Sequence, residues 1–485
     1  MKLSELLKPW INTISNDCEI SGLQNDSRLI HAGDLFIAYP GAEVDGRNFI
    51  AQAVKAGAHA VLYDALNYSP ISFSADCTVV PIADLEKKLA AIARQFYGEP
   101  TAYLTFTGVT GTNGKTTIAY QLAQAYELLG QEAAYVGTLG QGKPQSLQAL
   151  NNTTPDALVL QSLFYQYHNK AIKQVCMEVS SHALCQYRVE QIPFKQAIFT
   201  NLTHDHLDYH HTMEVYCEAK SLLFAMPSLN WAIINQDDHY AAVMRAKTPT
   251  SCQVISYGIH DTADVYARAF EVNLQGTTIE VNSPWGAYTL NIQALGFFNL
   301  YNALAIFTSL VVAGYDPKVV VPVMAKLRPA PGRMEVVSQQ PTVIVDYAHT
   351  PDALKNVLAT LSKVRVGRIL VVFGCGGDRD KLKRPIMGKI ASDYADLVFL
   401  TSDNPRHEDP EQILTDIAVG IPENTAIEQI CDRKAAIARA LALAQKNDIV
   451  VIAGKGHETY QQIGDEKISF SDQEIVHKIT MSVGG

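Results

Sequence analysis

A chain of 485 residues, 47% apolar and 18% charged, has length for about three domains with full cores. Its formal net charge of -10 argues against nucleic acid or an anionic membrane as a general partner; anionic substrates need only a local basic pocket. Eight cysteines without CxxC pairing point to reduced thiols. The N-terminus lacks the apolar core of a signal peptide, and no apolar run nears the roughly 20 residues of a membrane span. The expectation is a cytoplasmic protein with no membrane insertion.

Two loop-like breaks, Tyr97-Gly98-Glu99-Pro100 and Arg328-Pro329-Ala330-Pro331-Gly332-Arg333, divide the chain into 1–98, 99–329 and 330–485, each a reasonable domain size. After the first break the run Tyr103 to Val109 reads as a buried strand. It leads into Thr110-Gly111-Thr112-Asn113-Gly114-Lys115-Thr116-Thr117. Ile118, Leu122, Tyr126 and Leu129 then repeat at helical spacing, and Gly130 suits a helix C-cap. Strand, glycine-rich turn, Lys-Thr and helix make the setting of a phosphate-binding loop. Backbone N–H groups would cradle phosphate oxygens, Lys115 would reach the outer phosphates, and the Thr116 hydroxyl would ligate Mg²⁺. The general pattern places its first glycine at Val109, whereas this chain has Gly108.

Further along, Gln174 to Met177, Gln196 to Phe199 and Ala232 to Ile234 are strand-like. So are Val343 to Val345, Ile369 to Phe373, Leu397 to Leu400 and Ile449 to Ile452. Such runs separated by helical stretches read as parallel strands buried on both faces. Polar or glycine-rich clusters follow six of them: Glu178 to His182, Thr200 to His206, Asp346 to His349, Gly374 to Arg379, Thr401 to Arg406 and Ala453 to Glu458. Open α/β sheets bind ligands beyond the carboxyl ends of their strands, so an active site in a cleft between domains is expected.

Glu178 and His206 are candidate Mg²⁺ ligands near the phosphate loop, since that hard ion prefers oxygen. The cluster His204, His206, His210 and His211 also admits a zinc reading, weakened by the interleaved Asp205 and Asp208 and by the lack of cysteine. Lys220 sits in a helical segment, where a lysine is usually a snorkelling surface residue. Arg333, Arg379 and Arg406 suit bidentate recognition of carboxylate or phosphate, and Asp346 could accept hydrogen bonds from a ribose. Taken singly, each arginine is more often an ordinary surface residue or a structural salt bridge.

The motifs TGTNGKTT, MEVSSHAL, TNLTHDHLDYH, EAKSLLF, GFFNLYNALA, PGRME, DYAHTPDAL, GCGGDRD, TSDNPR and AGKGHE follow one another in this order. In that order and over essentially the whole chain they resemble the Mur ligases. Within the family the likeness is strongest to the member that adds the third peptide residue to UDP-N-acetylmuramoyl-L-alanyl-D-glutamate in peptidoglycan synthesis. The resemblance implies an α/β fold of three domains. These are an N-terminal UDP-sugar-binding domain (1–98), a central P-loop-type, mostly parallel-sheet ATPase domain (99–329) and a C-terminal Rossmann-like, amino-acid-binding domain (330–485).

It also implies the chemistry: ATP converts a carboxylate to an acyl phosphate, and the amine of the incoming amino acid displaces phosphate. By position, Gly111, Thr112, Asn113, Gly114, Lys115, Thr116 and Thr117 resemble the ATP loop, with Asn299, Arg333 and Asp346 as further ATP contacts. Lys115, Glu178, His206 and Lys220 match catalytic positions. Thr116, Glu178 and His206 resemble the shell of one Mg²⁺; Lys220 matches a carbamylated lysine whose carbamate helps hold a second. Asn25, Ser27, Ala42, Glu43 and Val44 match uridine-nucleotide positions, and Asn152, Thr153, Thr154, Ser180, Gln186 and Arg188 match muramoyl-peptide positions. Arg379, Asp403, Asn404, Pro405, Arg406, Gly454 and Glu458 match the set around diaminopimelate. The form Asp-Asn-Pro-Arg is the one associated with meso-diaminopimelate rather than L-lysine, with Arg406 set for the distal carboxylate and Glu458 for the ammonium. The implied partners are small molecules only, and the implied state is a monomer.

An L-lysine-adding relative and a folylpolyglutamate synthase are the competing enzymes; the N-terminal segment and Asp-Asn-Pro-Arg argue against the second. A catalytically inactive nucleotide-binding protein is opposed by retention of Lys115, Glu178, His206 and Lys220. A P-loop motor or transporter ATPase would need a conventional phosphate loop and a coupling element.

Overall fold

Near the N-terminus, β1 (Gly22–Gln24), β2 (Asp34–Ala38), β3 (Ala60–Asp64) and β4 (Thr78–Ile82) form a parallel sheet in that order. Every residue of β2 and β3 is buried. Leu35, Ile37, Ala60 and Leu62 enter one core while Phe36, Ala38, Val61 and Tyr63 enter another, the period-2 signature of a sheet covered on both faces. The computed structural model describes residues 1–41, 44–68 and 77–483; Ala42 and Glu43, expected at the uridine nucleotide, lie outside them. By compactness the chain divides into two units, Met1–Ser256 and Tyr257–Gly485.

The first unit also holds the sheet that carries the candidate phosphate loop. Its strands are β5 (Thr105–Thr110), β6 (Ala133–Gly137), β7 (Gly140–Gly142), β8 (Gln174–Glu178), β9 (Phe194–Phe199) and β10 (Trp231–Asn235). Their order is β10-β9-β5-β8-β6-β7, parallel except for β7. The carboxyl ends of β9, β5 and β8 are therefore neighbours, at the point where the strand order reverses. From β5 the chain turns through Gly111–Gly114 into the helix Lys115–Leu128, and Gly130 (φ +80°) follows its end as a left-handed stop.

Ala157 and Leu158, at the start of the helix Ala157–Asn169, share a core with the N-terminal sheet and with the helix Leu85–Phe96. Through that shared core the N-terminal sheet and the sheet of β5 to β10 belong to one compact unit. The boundary between the two compact units lies inside β11 (Gln253–Gly258).

In the second unit β12 (Val265–Asn273), β13 (Gly276–Ser283) and β14 (Gly286–Ile292) form an antiparallel meander, followed by the helix Phe297–Val312. A six-stranded sheet comes next: β15 (Glu335–Gln339), β16 (Thr342–Asp346), β17 (Ile369–Phe373), β18 (Leu397–Leu400), β19 (Ile427–Gln429) and β20 (Ile449–Ala453). Its order is β15-β16-β20-β17-β18-β19, parallel except for the edge strand β15. Ile344, Val371, Phe373 and Val451 fill the core on one face and Val343, Val345, Leu370 and Val372 the other. A hairpin of β21 (Tyr460–Ile463) and β22 (Glu466–Ser469) stands beyond the end of β20.

Candidate active site

The glycine-rich loop Gly111–Gly114, the candidate phosphate loop, is braced by the segment that follows β9. Asn113 N–H donates to Asn201 Oδ1 (3.0 Å), Thr203 N–H to Thr112 Oγ1 (3.0 Å), and Thr200 Oγ1 to the Asn113 carbonyl (2.6 Å). Gly111 has φ +150°, and a Cβ there would collide with Thr200 Oγ1 and crowd the Asn201 backbone. Only glycine fits the approach. Lys115 folds back along the loop, its Nζ donating to the carbonyls of Gly111 and Thr112, both at 2.8 Å.

At the end of β8, Glu178 is 1% exposed. Its Oε2 accepts from Thr116 Oγ1 (3.0 Å) and Thr138 Oγ1 (3.3 Å), and its Oε1 from Tyr135 OH (2.5 Å) and Thr138 N–H (2.9 Å). Four donors offset the desolvation of this carboxylate. Neither Tyr135 nor Thr138 was singled out by sequence reasoning; both lie outside recognisable motifs.

Lys220 is fully buried rather than snorkelling. Its helix, Met213–Ser221, turns the side chain inward, so that Nζ donates to the Gly111 carbonyl at 2.9 Å and stands 4.5 Å from the centre of the Tyr216 ring. Burial first, and the nearby Lys115 charge second, push its ammonium well below the ordinary lysine range.

His206 caps the short helix Leu207–His210 in a left-handed conformation (φ 54°). Its ring meets those of His182 and Tyr216 at 5.1 and 6.0 Å. Although the residue is exposed, desolvation by the surrounding side chains lowers its pKa against the opposing pull of Asp205. His210 is buried, bonds Ser181 Oγ at 2.8 Å, and is pushed down to about 4 by burial. His204 and His211 are exposed. Among the described residues no three His, Cys, Asp or Glu side chains are grouped to hold a metal, which removes the support for a zinc cluster. The Thr116 hydroxyl beside the Glu178 carboxylate offers hard oxygen donors, a set that fits Mg²⁺ completing its shell with water and phosphate oxygens.

Several muramoyl-peptide candidates form a network in the same unit. Thr154 Oγ1 donates to the Glu178 carbonyl (2.9 Å) and accepts from Ser180 N–H (3.1 Å). Ser180 Oγ caps the helix Ser181–Cys185 by accepting from Ala183 N–H. Arg188 donates to the Thr154 carbonyl (2.9 Å) and to Gln186 Oε1, and Gln186 donates to Tyr209 OH (3.3 Å). Thr153 Oγ1 is 3.1 Å from Thr138 Oγ1, and Asn152 is exposed. Of the uridine-nucleotide candidates, Asn25 bonds Tyr39, Ser27 is buried and donates to Gln52 Oε1 (3.2 Å), and Val44 is exposed.

In the second unit, the ends of β16, β20, β17 and β18 carry the other candidates side by side. Asp346 accepts from Met334 N–H (2.7 Å) and Ala348 N–H (2.8 Å); burial raises its pKa, with Arg333 opposing. The Arg333 guanidinium lies 4.5 Å from the centre of the Tyr347 ring. Asn299 is buried in its helix, donating to the Leu295 carbonyl (2.6 Å) and accepting from Asn302 (2.8 Å). The Arg406 guanidinium donates to the Gly377 carbonyl (2.8 Å), tying the Asp-Asn-Pro-Arg loop to the Gly374–Arg379 loop, where Arg379 is exposed. Pro405 and Asp403 are buried, and a Cβ on Gly454 (φ +114°) would lie 2.5 Å from Asp403 Oδ2. Asn404 Nδ2 donates to Glu458 Oε2 (2.9 Å), and the buried Lys455 bonds both side chains.

Sequence reasoning assigned no role to Lys455, Arg384 or Glu408. The pair Arg384–Glu408 (3.0 Å), with Asp378 N–H donating to Glu408 at 2.7 Å, braces the same two loops. Lys455 was visible as part of a strand-end cluster; Glu408 left no signal.

Three family models match the chain in succession: "Mur ligase family, catalytic domain" over residues 19–97, "Mur ligase middle domain" over 109–310 and "Mur ligase, glutamate ligase domain" over 332–456. A UDP-N-acetylmuramoyl-L-alanyl-D-glutamate--2,6-diaminopimelate ligase of Coxiella burnetii is 42% identical over 483 residues, covering 98% of this chain and 99% of that one. The chain belongs to the Mur ligase family. A second Mur ligase of the same name, from Neisseria meningitidis serogroup A, is 44% identical over 487 residues, 98% of both chains. A solved structure of such a ligase superposes with a TM-score of 0.73 at 36% identity over 100% of each chain. The Mur ligase likeness thus runs through both compact units.

Proposed function

We propose that this chain is an ATP-dependent ligase that joins meso-diaminopimelate to UDP-N-acetylmuramoyl-L-alanyl-D-glutamate in peptidoglycan precursor synthesis, in the cytoplasm and as a monomer. The observation that carries the reading is identity above 40% along nearly the whole chain to relatives bearing that ligase name. Nothing observed favours the L-lysine-adding, folate-type or inactive alternatives. In this reading residues 1–98 bind the UDP-sugar, 99–329 bind ATP and 330–485 bind the amino acid.

The reaction has two steps. A carboxylate oxygen of the D-glutamyl γ-carboxyl attacks the γ-phosphorus of ATP, giving an acyl phosphate and ADP. An amine of diaminopimelate then attacks the acyl carbon; a tetrahedral intermediate expels phosphate, and the amine proton is lost as the amide forms. The barrier lies in bringing anions together, so charge compensation and positioning dominate. Lys115 leaves the Gly111 and Thr112 carbonyls for the outer phosphates, while loop N–H groups of Gly111 to Thr117 hold the others. Asn299, Arg333 and Asp346 orient the nucleoside.

Thr116, Glu178 and His206 would hold one Mg²⁺ and a carbamate on Lys220 would help hold a second; such ions neutralise phosphate charge when bound. The buried Lys220 suits carbamylation, because its depressed pKa favours the neutral amine that reacts with CO₂. Thr153, Thr154, Ser180, Gln186 and Arg188 hold the muramoyl-peptide, with Asn152 at its edge; Asn25, Ser27, Ala42, Glu43 and Val44 hold the uridine end. Arg379, Asp403, Asn404, Pro405, Arg406, Gly454 and Glu458 surround diaminopimelate.

The test is ATP turnover by the purified protein, with each substrate omitted in turn. Phosphate release requiring both substrates supports the reading, and release indifferent to meso-diaminopimelate sinks it. Density for a carbamate beyond Lys220 Nζ in the active, liganded crystal is the expected companion result; a bare ammonium there rejects the modification.

A further inference from the structure

Lys455 sits in the turn after β20 with no exposed surface. Its Nζ is 2.9 Å from Asn404 Oδ1 and 2.9 Å from Glu458 Oε2, and it faces the Tyr460 ring at 5.5 Å. Asn404 Nδ2 in turn donates to Glu458 Oε2 at 2.9 Å, so the three side chains close a triangle. A second donor, Gln462 N–H, reaches Asn404 Oδ1 at 2.9 Å. An asparagine amide can face either way, and its neighbours decide which. An ammonium can only donate, so Lys455, together with Gln462 N–H, holds the amide oxygen inward and its nitrogen toward Glu458.

We propose that Lys455 is a positioning residue that sets the selectivity of the amino-acid site. The proposal rests on the functional reading above. By pinning Oε2 of Glu458, Lys455 leaves Oε1 to accept from a ligand ammonium. By orienting Asn404, it leaves the second Nδ2 proton to donate to a ligand carboxylate. Its charge also compensates Glu458, so a carboxylate can approach without repulsion. A side chain ending in a zwitterion needs all three provisions; one ending in an ammonium alone needs only the first. Without Lys455, the bare Glu458 charge favours the ammonium-only ligand.

The experiment compares wild type, Lys455→Met and Lys455→Arg in steady-state ligation with meso-diaminopimelate and with L-lysine. In the Met variant, KM for meso-diaminopimelate is expected to rise roughly tenfold to a hundredfold, as loss of a buried charge partner allows. KM for ATP should stay within about twofold, separating positioning from general damage. The kcat/KM preference for meso-diaminopimelate over L-lysine should fall by about tenfold or more, and the Arg variant should recover most of it. An unchanged preference in a folded Met variant overturns the proposal, as does a parallel rise in the KM of every substrate.

Should the Met variant fail to fold, a wild-type crystal with meso-diaminopimelate decides. The ligand nitrogen on Glu458 Oε1, with the triangle intact, supports the role; a ligand that displaces Lys455 from Glu458 overturns it. Wild-type protein without meso-diaminopimelate-dependent turnover sinks the functional reading, and this proposal with it; normal wild type with indifferent variants sinks this proposal alone.

Discussion

Both units end parallel strands in polar clusters, yet they hold their cations differently. At the ends of β5 and β8, Lys115 and Lys220 donate to backbone carbonyls, sharing that of Gly111. Carbonyl oxygens carry only partial charge, so they steady an ammonium without neutralising it. Around the ends of β17, β18 and β20, three cations meet carboxylates, while Arg406 donates to the Gly377 carbonyl. Lys455 pairs with Glu458 (2.9 Å), Arg384 with Glu408 (3.0 Å), and the fully buried Arg433 with Asp472 (2.8 Å). The first arrangement suits a polyanion such as triphosphate. The second suits a zwitterion, which needs donors and acceptors in balance. In the proposed function, one type of sheet edge would serve two ligand chemistries, with backbone carbonyls holding the lysines at one and carboxylates pairing with cations at the other.

Removing the Lys115 charge should have the largest effect. Lys115→Ala is expected to lower kcat by about a thousandfold or more with the fold intact, since the charge acts on the transferring phosphoryl group. Near-normal ligation by a folded variant would break the comparison at its first term.

Acid should weaken the first unit next. His210 is pushed from its ordinary 6.5 down to about 4 by burial. The folded state therefore refuses a proton that the unfolded chain accepts, and the stability held above pH 6.5 is lost as pH falls toward about 4. The loss amounts to about 3 kcal/mol. Denaturant melts at several pH values should show this slope flattened in His210→Gln; an equal slope in the variant rejects the assignment. His457 in the second unit is also pushed to about 4 by burial, so part of the acid sensitivity should survive.

Arg406→Ala tests recognition by balanced charges. It should reduce the kcat/KM preference for meso-diaminopimelate over L-lysine by roughly a hundredfold, the order expected for an Arg–carboxylate pair removed from solvent. A variant that keeps the full preference moves that role to Arg379. The smallest effect is expected from Gly454→Ala, whose Cβ would press on Asp403 Oδ2. A rise of about tenfold in KM for the amino acid, with KM for ATP unchanged, would reflect a strained turn at positive φ.

The sequence by itself determined the parallel strands and the glycine-rich turn between β5 and the helix Lys115–Leu128. β17 (Ile369–Phe373) and β18 (Leu397–Leu400) have the limits read from their apolar runs, because strands buried on both faces are continuous in hydrophobicity. The turn Gly111–Gly114 was legible because its glycines and the adjoining Lys-Thr are contiguous. The meander β12–β14 was not legible: β12 is largely exposed beyond Ala267, so no apolar run or clean alternation marks it. Tertiary structure alone decided that Lys220 is buried, since a helix pattern does not say which neighbour covers a lysine. It alone gave Glu178 its four donors, drawn from positions 116, 135 and 138. It alone brought Lys455 onto Asn404, 51 residues away in the chain. Apolar burial is written locally, in period and run length; charge compensation depends on which distant strand ends become neighbours, and only the folded sheet specifies that.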